Sequence, residues 1–296
     1  MSSGQTAYLI DASPYIFRAY FSLPDSLRDT AGNPVQAVYG FASFLLKLLA
    51  EESPSHLGVT FDRSLTTSFR NDLYPLYKAQ RALPPKELED QLAACEEVAA
   101  ALGAATFVDP VYEADDLIAT LCARIAPAGH GAVIVTADKD LAQLVDERTT
   151  LYDFGKGTRL ALPEVVAKFG VRPDQVADLL ALAGDAVDNI PGVAGIGAKT
   201  AAALLAHFGH VEELYARLEE VREVPGLRGA KALYEKLKEG REMAFLSKRL
   251  ATVARDAPVT ANWEDLAYPG ADRERIEPLF DRLKFGRIRE RIARWR

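Results

Sequence analysis

The chain has 296 residues, 49% of them hydrophobic, and its 42 acids against 35 lysines and arginines give a net charge of −7. That length suits one large domain or a large one with a small companion, and the apolar content supplies a full core, which excludes a disordered or low-complexity chain. No run is long and apolar enough to span a membrane and no basic stretch leads into an apolar one, so the expectation is no membrane, no signal peptide and a cytoplasmic location.

The first predicted element is a buried strand at 7–11 that ends in Asp11. Two later apolar runs end the same way, 57–62 at Asp62 and 133–138 at Asp138. With little polar alternation and helix-like segments between them, the three read as strands of an α/β fold: a mostly parallel central sheet with helices on both faces. In such sheets the carboxyl ends of the strands line the ligand crevice, so Asp11, Asp62 and Asp138 are expected to converge. A turn-forming aspartate accounts for any one of them, less readily for all three.

Residues 15–20 set Arg18 near that crevice, either to contact a phosphate or to pair with a crevice acid. The stripe Val38, Phe41, Leu45, Leu48 and Leu49 predicts an amphipathic helix over 35–51. After Asp62, a segment at about 68–90 interleaves Arg70, Lys78 and Arg81 with Tyr74 and Tyr77, and Pro84-Pro85 interrupts it. On a helical turn Lys78 and Arg81 point at one target while the tyrosines offer faces to unpaired bases; the alternative is a solvated basic face with tyrosines packed beneath it. A helix at 87–102 and a short strand at 104–108 follow.

The densest feature comes next, with Glu113, Asp115 and Asp116 crowding the start of a helix whose buried stripe is Leu117, Ile118, Leu121 and Ile125. One such acid is an ordinary cap. Like charges about 4 Å apart, however, repel by about 4 kcal/mol at an effective dielectric near 20. Three together call for neutralisation, by raised carboxylate pKa values or by bound divalent cations. Asp138-Lys139-Asp140 adds a second carboxylate two residues past a strand end. Short strands at 151–154 and 159–161 flank a Gly155-Lys156-Gly157 turn, and Pro163 opens a helix.

From about residue 171 the composition turns helical. The run Gly192-x-x-Gly195-x-Gly197-x-Lys199-Thr200, ahead of a helix through Leu204 and Leu205, has the pattern of a helix-hairpin-helix, whose glycines let backbone approach a phosphate at a helix N-terminus. Residues 225–231 look like a looser second instance. The expected organisation is a catalytic α/β part at 1–170, a helix-hairpin-helix part at 171–260 and a basic helical tail at 261–296 that packs on the core. Net acidity does not exclude nucleic acid, because bases recur in blocks at 228–241 and 282–296. Cys95 and Cys122 lack CxxC spacing, which suits a reducing compartment, and His56, His130, His207 and His210 form no zinc pattern.

Asp11, Asp62, Glu113-Ala-Asp115-Asp116, Thr136-Ala-Asp138-Lys-Asp140, Gly184-Asp185-x-x-Asp188-Asn189 and Gly192-x-x-Gly195-x-Gly197, in this order, resemble the 5′ nuclease (flap endonuclease) family, most closely the 5′→3′ exonuclease domain of bacterial DNA polymerase I. The resemblance implies a PIN/resolvase-like nuclease core and two Mg2+ or Mn2+ ions. One ion falls to Asp11, Asp62, Glu113 and Asp115, the other to Asp115, Asp138, Asp140 and Asp188, with Asp116 and Asp185 acting through water. It also implies K+ at the helix-hairpin-helix and a basic segment arched over the site, in which Lys78 and Arg81, with Arg18, serve catalysis. The DNA contacts it implies are Arg70, Tyr74, Tyr77, Gly192, Gly195, Gly197, Lys199 and Thr200. The expected partner of a monomeric enzyme is DNA with 5′ flaps, nicks or free 5′ ends. Two rival readings are a PIN-like ribonuclease and a non-catalytic DNA junction binder.

Overall fold

The computed structural model describes residues 4–63, 67–81, 83–224, 227 and 229–296. Its centre is a six-stranded sheet of β1 (Thr6–Asp11), β2 (Leu57–Asp62), β3 (Ala105–Asp109), β4 (Gly131–Val135), β5 (Thr149–Asp153) and β6 (Thr158–Leu160), in the order β3-β2-β1-β4-β5-β6. All neighbours are parallel except β5 and β6, which form an antiparallel hairpin. Connections from β1 lead outward in both directions, so the gap beyond the carboxyl ends of β1 and β4 is a topological switch point, where α/β sheets hold their ligands.

The apolar strands are buried because both faces are covered. One core sets Ile10, Val59 and Val135 against α1 (Ser13–Ser22), α2 (Gln36–Glu52) and a later helix that runs Lys86–Ala101. The other sets Leu9 and Ile134 against the helix Ala114–Ile125 and the helices between residues 162 and 251. Between β2 and the first of those later helices lies α3 (Phe69–Leu73), which makes Lys86–Ala101 α4 and Ala114–Ile125 α5. The second half adds α6 (Leu162–Phe169), α7 (Val176–Ala183), α8 (Ala198–Phe208), α9 (Val211–Ala216), α10 (Ala230–Glu239) and α11 (Arg241–Ala251). Finally α12 (Arg273–Leu283) and α13 (Gly286–Arg289) return to the α2 side, where Ile276, Phe280 and Ile288 enter the core.

Two expectations are corrected. The strand expected to reach Asp138 ends at Val135; Thr136 N still bonds Tyr152 O (3.2 Å) while its hydroxyl bonds Asp11. Beyond it Asp138 stands on a loop and Asp140 opens a short 3-10 turn at Asp140–Leu144, which breaks off the extended run. Lys78 and Arg81 are not on a helix. Residues 74–81 are a run of turns with Lys78 left-handed at φ 54°, laid against the 185–190 hairpin by bonds from Lys78 N to Asp188 O (3.0 Å) and from Asn189 Nδ2 to Leu76 O. Among its described residues this stretch packs down on the helical half instead of arching away from it.

Candidate active site

The carboxyl ends of the strands set the first two acids. Asp11 closes β1 and accepts from Ser13 N (3.2 Å) and Thr136 Oγ1 (2.8 Å). Asp62 closes β2 and accepts from Ser13 Oγ (2.7 Å) and from Ala114 N (2.8 Å), an unpaired amide of the first turn of α5. Glu113 is the N-cap residue of that helix, and the Asp116 carboxylate accepts from Glu113 N at 3.0 Å while Asp116 N bonds the Glu113 carbonyl. Asp138 accepts from Asp140 N at 2.8 Å. A cavity of about 580 Å³ is lined by Asp11, Asp62, Glu113, Asp115 and Asp138, by Lys78 and Arg81, and by Pro14, Phe17, Phe21 and Leu83 on its apolar wall.

The nine acids divide by what neutralises them. Glu113 meets Lys78 Nζ (2.8 Å) and Arg70 Nη1 (3.2 Å); Asp188 meets Arg81 and, at 3.8 Å, Lys78; Asp185 meets Lys139 (2.6 Å); Asp116 takes both arms of Arg70 (2.7 Å each). Asp11, Asp62, Asp115, Asp138 and Asp140 have no cationic partner among the described residues. Burial and the charge of Asp62 push Asp11 up to about 8, and burial with Asp138 and Asp185 does the same to Asp140. Burial, then Asp138, Asp11 and Asp62, raise Asp115 well above the carboxylate range, and burial raises Asp138 against the bond from Asp140 N. Burial also works to raise Glu113, but Lys78 and Arg70 outweigh it and hold that carboxyl low. No three His, Cys, Asp or Glu side chains among the described residues already close as a cage around one point. The fit to a metal is therefore one of donor chemistry and charge: oxygen-only ligands and a deficit of positive charge, which hard divalent cations answer.

Several expected site residues lie elsewhere. Asp116 is fully buried and bonded by Arg70, Glu113 N and Ala254 N, so it faces structure and not the cavity. Arg70, expected at DNA, is buried with all five N–H groups met: by Asp116 and Glu113, by Leu250 O and by Thr252 O. The Tyr77 ring is buried in the core and offers no face to a base; its hydroxyl lies 3.0 Å from Glu113 and 3.1 Å from Asp188. Tyr74 packs half-buried beside it. Arg18 is not in the lining of this cavity, since it points off the opposite side of α1 toward Gly155, and it pairs with no crevice acid among the described residues. Asp185 is held by Lys139 outside the cavity lining. Sequence reasoning missed Ser13 and Thr136, whose hydroxyls orient Asp11 and Asp62; their spacing, two residues after Asp11 and two before Asp138, was the available signal.

The glycine-rich run joins α7 to α8. Gly192 (φ 63°) and Gly195 (φ 73°) are left-handed, and Gly197 caps α8. Val193 and Ile196 anchor the turn in the core, while Ala194, Gly195, Gly197 and Lys199 face solvent and Thr200 is half-buried. The backbone of this turn is thus presented outward at a helix N-terminus. Of the looser instance at 225–231, Pro225, Gly226 and Arg228 lie outside the described residues.

Residues 6–170 match the family model described as 5′-3′ exonuclease, N-terminal resolvase-like domain, and residues 171–274 match 5′-3′ exonuclease, C-terminal SAM fold. The chain is 42% identical over 288 residues to DNA polymerase I of Bacillus caldotenax, covering 96% of this chain and 32% of that one. It is 44% identical over 279 residues to DNA polymerase I of Pseudomonas aeruginosa, covering 94% and 30%. It spans about a third of the length of these curated relatives. In fold it is similar to T5 5′-exonuclease with bound zinc (TM-score 0.68, 22% identity, 94% of this chain and 100% of the other). It is likewise similar to the catalytic core of Rad2 in complex with DNA substrate (TM-score 0.64, 16% identity, 99% and 93%).

Proposed function

Because this chain belongs to the 5′-3′ exonuclease family, whose two domain models together match residues 6–274, we propose that it hydrolyses DNA phosphodiester bonds near 5′ ends and at single-strand/double-strand junctions, as a 5′→3′ exonuclease and flap endonuclease. The observation that carries the reading is the set of five aspartates without cationic partners among the described residues, four of which (Asp11, Asp62, Asp115 and Asp138) line one cavity with the paired cations Lys78 and Arg81 while Asp140 stands just beyond Asp138.

Asp11, Asp62, Asp115, Asp138 and Asp140 would hold two Mg2+ or Mn2+ ions, with Glu113 and Asp188 at their margin. When bound, such ions supply Lewis-acid charge to the attacking and leaving oxygens of an in-line displacement. The protein's own part is positioning. Ser13 and Thr136 hold the Asp11 and Asp62 carboxylates through hydroxyl donors. Lys78 and Arg81, parked on Glu113 and Asp188, exchange a carboxylate for the scissile phosphate and stabilise the negative charge that grows on it. Burial and the neighbouring acids act on Lys78 in opposite senses, and Glu113 and Asp188 prevail, so it stays protonated. Phe21, 74% exposed, and Leu83, 68% exposed, form an apolar rim on which an unpaired base can rest.

The exposed turn at 194–199 takes duplex phosphates, with K+ there as part of the same proposal. Residues 1–170 form the catalytic part, 171–260 the duplex-gripping part, and 261–296 a tail that closes the core; the enzyme acts as a cytoplasmic monomer on flapped, nicked or 5′-ended DNA. The test is cleavage of 5′-labelled flap, nicked and blunt DNA with Mg2+, Mn2+ or chelator. Metal-dependent short products from flap and nick are expected. Junction binding without cutting, or a preference for single-stranded RNA, would replace this reading with one of its rivals.

A further inference from the structure

Helix α1 is a partition. Pro14, Phe17 and Phe21 line the acidic cavity, whereas Tyr15, Arg18 and Ser22, on its other face, line a second groove of about 700 Å³ walled by α2 and the β5–β6 turn. The chemistry there is opposite. Arg18, Lys47 and Arg291 line it against one acid, Glu51, which lies 3.7 Å from Lys47 in an exposed pair; Arg18 and Arg291 have no carboxylate partner among the described residues. Room for the Arg18 guanidinium comes from Gly155, where a Cβ would stand 2.2 Å from Arg18 Nη1.

Tyr15 and Ser43 of this lining carry hydroxyl oxygens that are buried behind it with no hydrogen-bond partner, and Tyr15 as a residue is only 5% exposed. Unpaired buried hydroxyls are costly, and a ligand that reached them from the groove would relieve that cost. The remaining wall is aromatic: Tyr15 stacks on Phe44 with centroids 3.7 Å apart and planes at 7°, and Lys47 lies 5.3 Å over Phe154.

We propose that this groove binds a nucleotide unit, with its phosphate among Arg18, Lys47 and Arg291 and its base against the aromatic wall, where Tyr15 and Ser43 meet its polar edge. Inorganic phosphate would leave the apolar wall and both hydroxyls unused. A single acidic side chain lacks the flat apolar body that the wall fits. A free deoxynucleoside monophosphate and a nucleotide within a strand share this chemistry. The assignment requires no cleavage, so it stands or falls separately from the nuclease reading.

Calorimetric titrations in chelator test it, using deoxynucleoside monophosphates, a 5′-phosphorylated tetranucleotide, inorganic phosphate and an acidic peptide. Saturable nucleotide binding is expected, weakened tenfold or more by Lys47→Ala with Arg291→Ala, two exposed positions whose replacement leaves the melting temperature unchanged, and unaltered by Asp115→Asn. Binding of the monophosphate identifies a free ligand, and binding of the tetranucleotide alone identifies a strand. No saturable nucleotide binding, equal affinity in the double variant, or phosphate or peptide binding as tightly as nucleotide would overturn the proposal.

Discussion

Arg70 and Asp116 show what single residues contribute beneath the site. A bidentate guanidinium–carboxylate pair this deep is hard to form and harder to break, because removing one partner leaves an uncompensated charge out of water. Arg70→Met should lower unfolding free energy by about 3–5 kcal/mol in urea titration. Arg70→Lys should recover only part, since an ammonium cannot reproduce the five-donor fork. A variant as stable as the parent would show the pair to be solvated. The unpartnered aspartates make the opposite prediction. In metal-free protein the folded-state pKa values of Asp11 and Asp140 are near 8, above the ordinary carboxylate value near 3.9, so the folded state binds more protons between these limits. Stability in chelator should therefore fall as pH rises from about 4 to about 8, and added Mg2+ should flatten that slope. A flat chelator profile would contradict the burial argued for these acids. Asp115→Asn should abolish cutting, preserve junction binding and raise the melting temperature in chelator, because burial and the neighbouring acids disfavour the ionised carboxylate in the folded state, a cost that a neutral amide does not bear. The acids at 11, 62, 113–116 and 138–140 were legible from two strand ends, an Asp-x-Asp just past a third strand and one crowded helix start. Their partners were not, since Arg70 lies 43 and 46 residues from Glu113 and Asp116, and nothing local marks that pairing.

Among the elements, the buried strands and the helices 36–52, 86–101 and 114–125 could be read from periodicity, because their patterns are long and their faces unambiguous. The turns at 74–81 could not. Their conformation is set by the 185–190 hairpin against which they lie, a tertiary neighbour more than a hundred residues away. Glycines in the 192–197 turn separate into structural and presenting positions. A Cβ at Gly192 would stand 2.3 Å from Gly184 N, and its φ is 63°, so Gly192→Ala should cost at least the about 1–2 kcal/mol of a left-handed backbone and show as a lower melting temperature. Gly197 has ordinary φ and no atom within 4 Å of an added Cβ. Gly197→Val should therefore fold within about 1 kcal/mol of the parent, yet bind duplex DNA more weakly and with a shallower salt slope. Unchanged duplex affinity in that folded variant would remove the turn from the DNA surface.

Over the whole molecule, the change of composition at residue 171 does not divide the packing. One core runs from Leu9 and Ile134 through α5 into α7, α8 and α11, and a strap at 250–262 ties the halves together by Ala254 N to Asp116, Ala257 N to Thr120, Val253 N to Gln143 and Arg124 to Thr260 and Ala261. Equilibrium unfolding should accordingly be one transition, coincident by circular dichroism and by fluorescence, and a fragment of residues 1–170 should not fold alone. Two separated transitions would contradict a shared core. The strap also orders events in time. Chains emerge from the ribosome amino end first, and the acids at 11, 62, 113–116 and 138–140 all appear long before Leu250, Thr252 and Ala254, the carbonyls and amide that fix Arg70 and Asp116 under the start of α5. A nascent chain thus carries these acids yet lacks the contacts that fix Arg70 and Asp116 under the start of α5 until synthesis has passed residue 254.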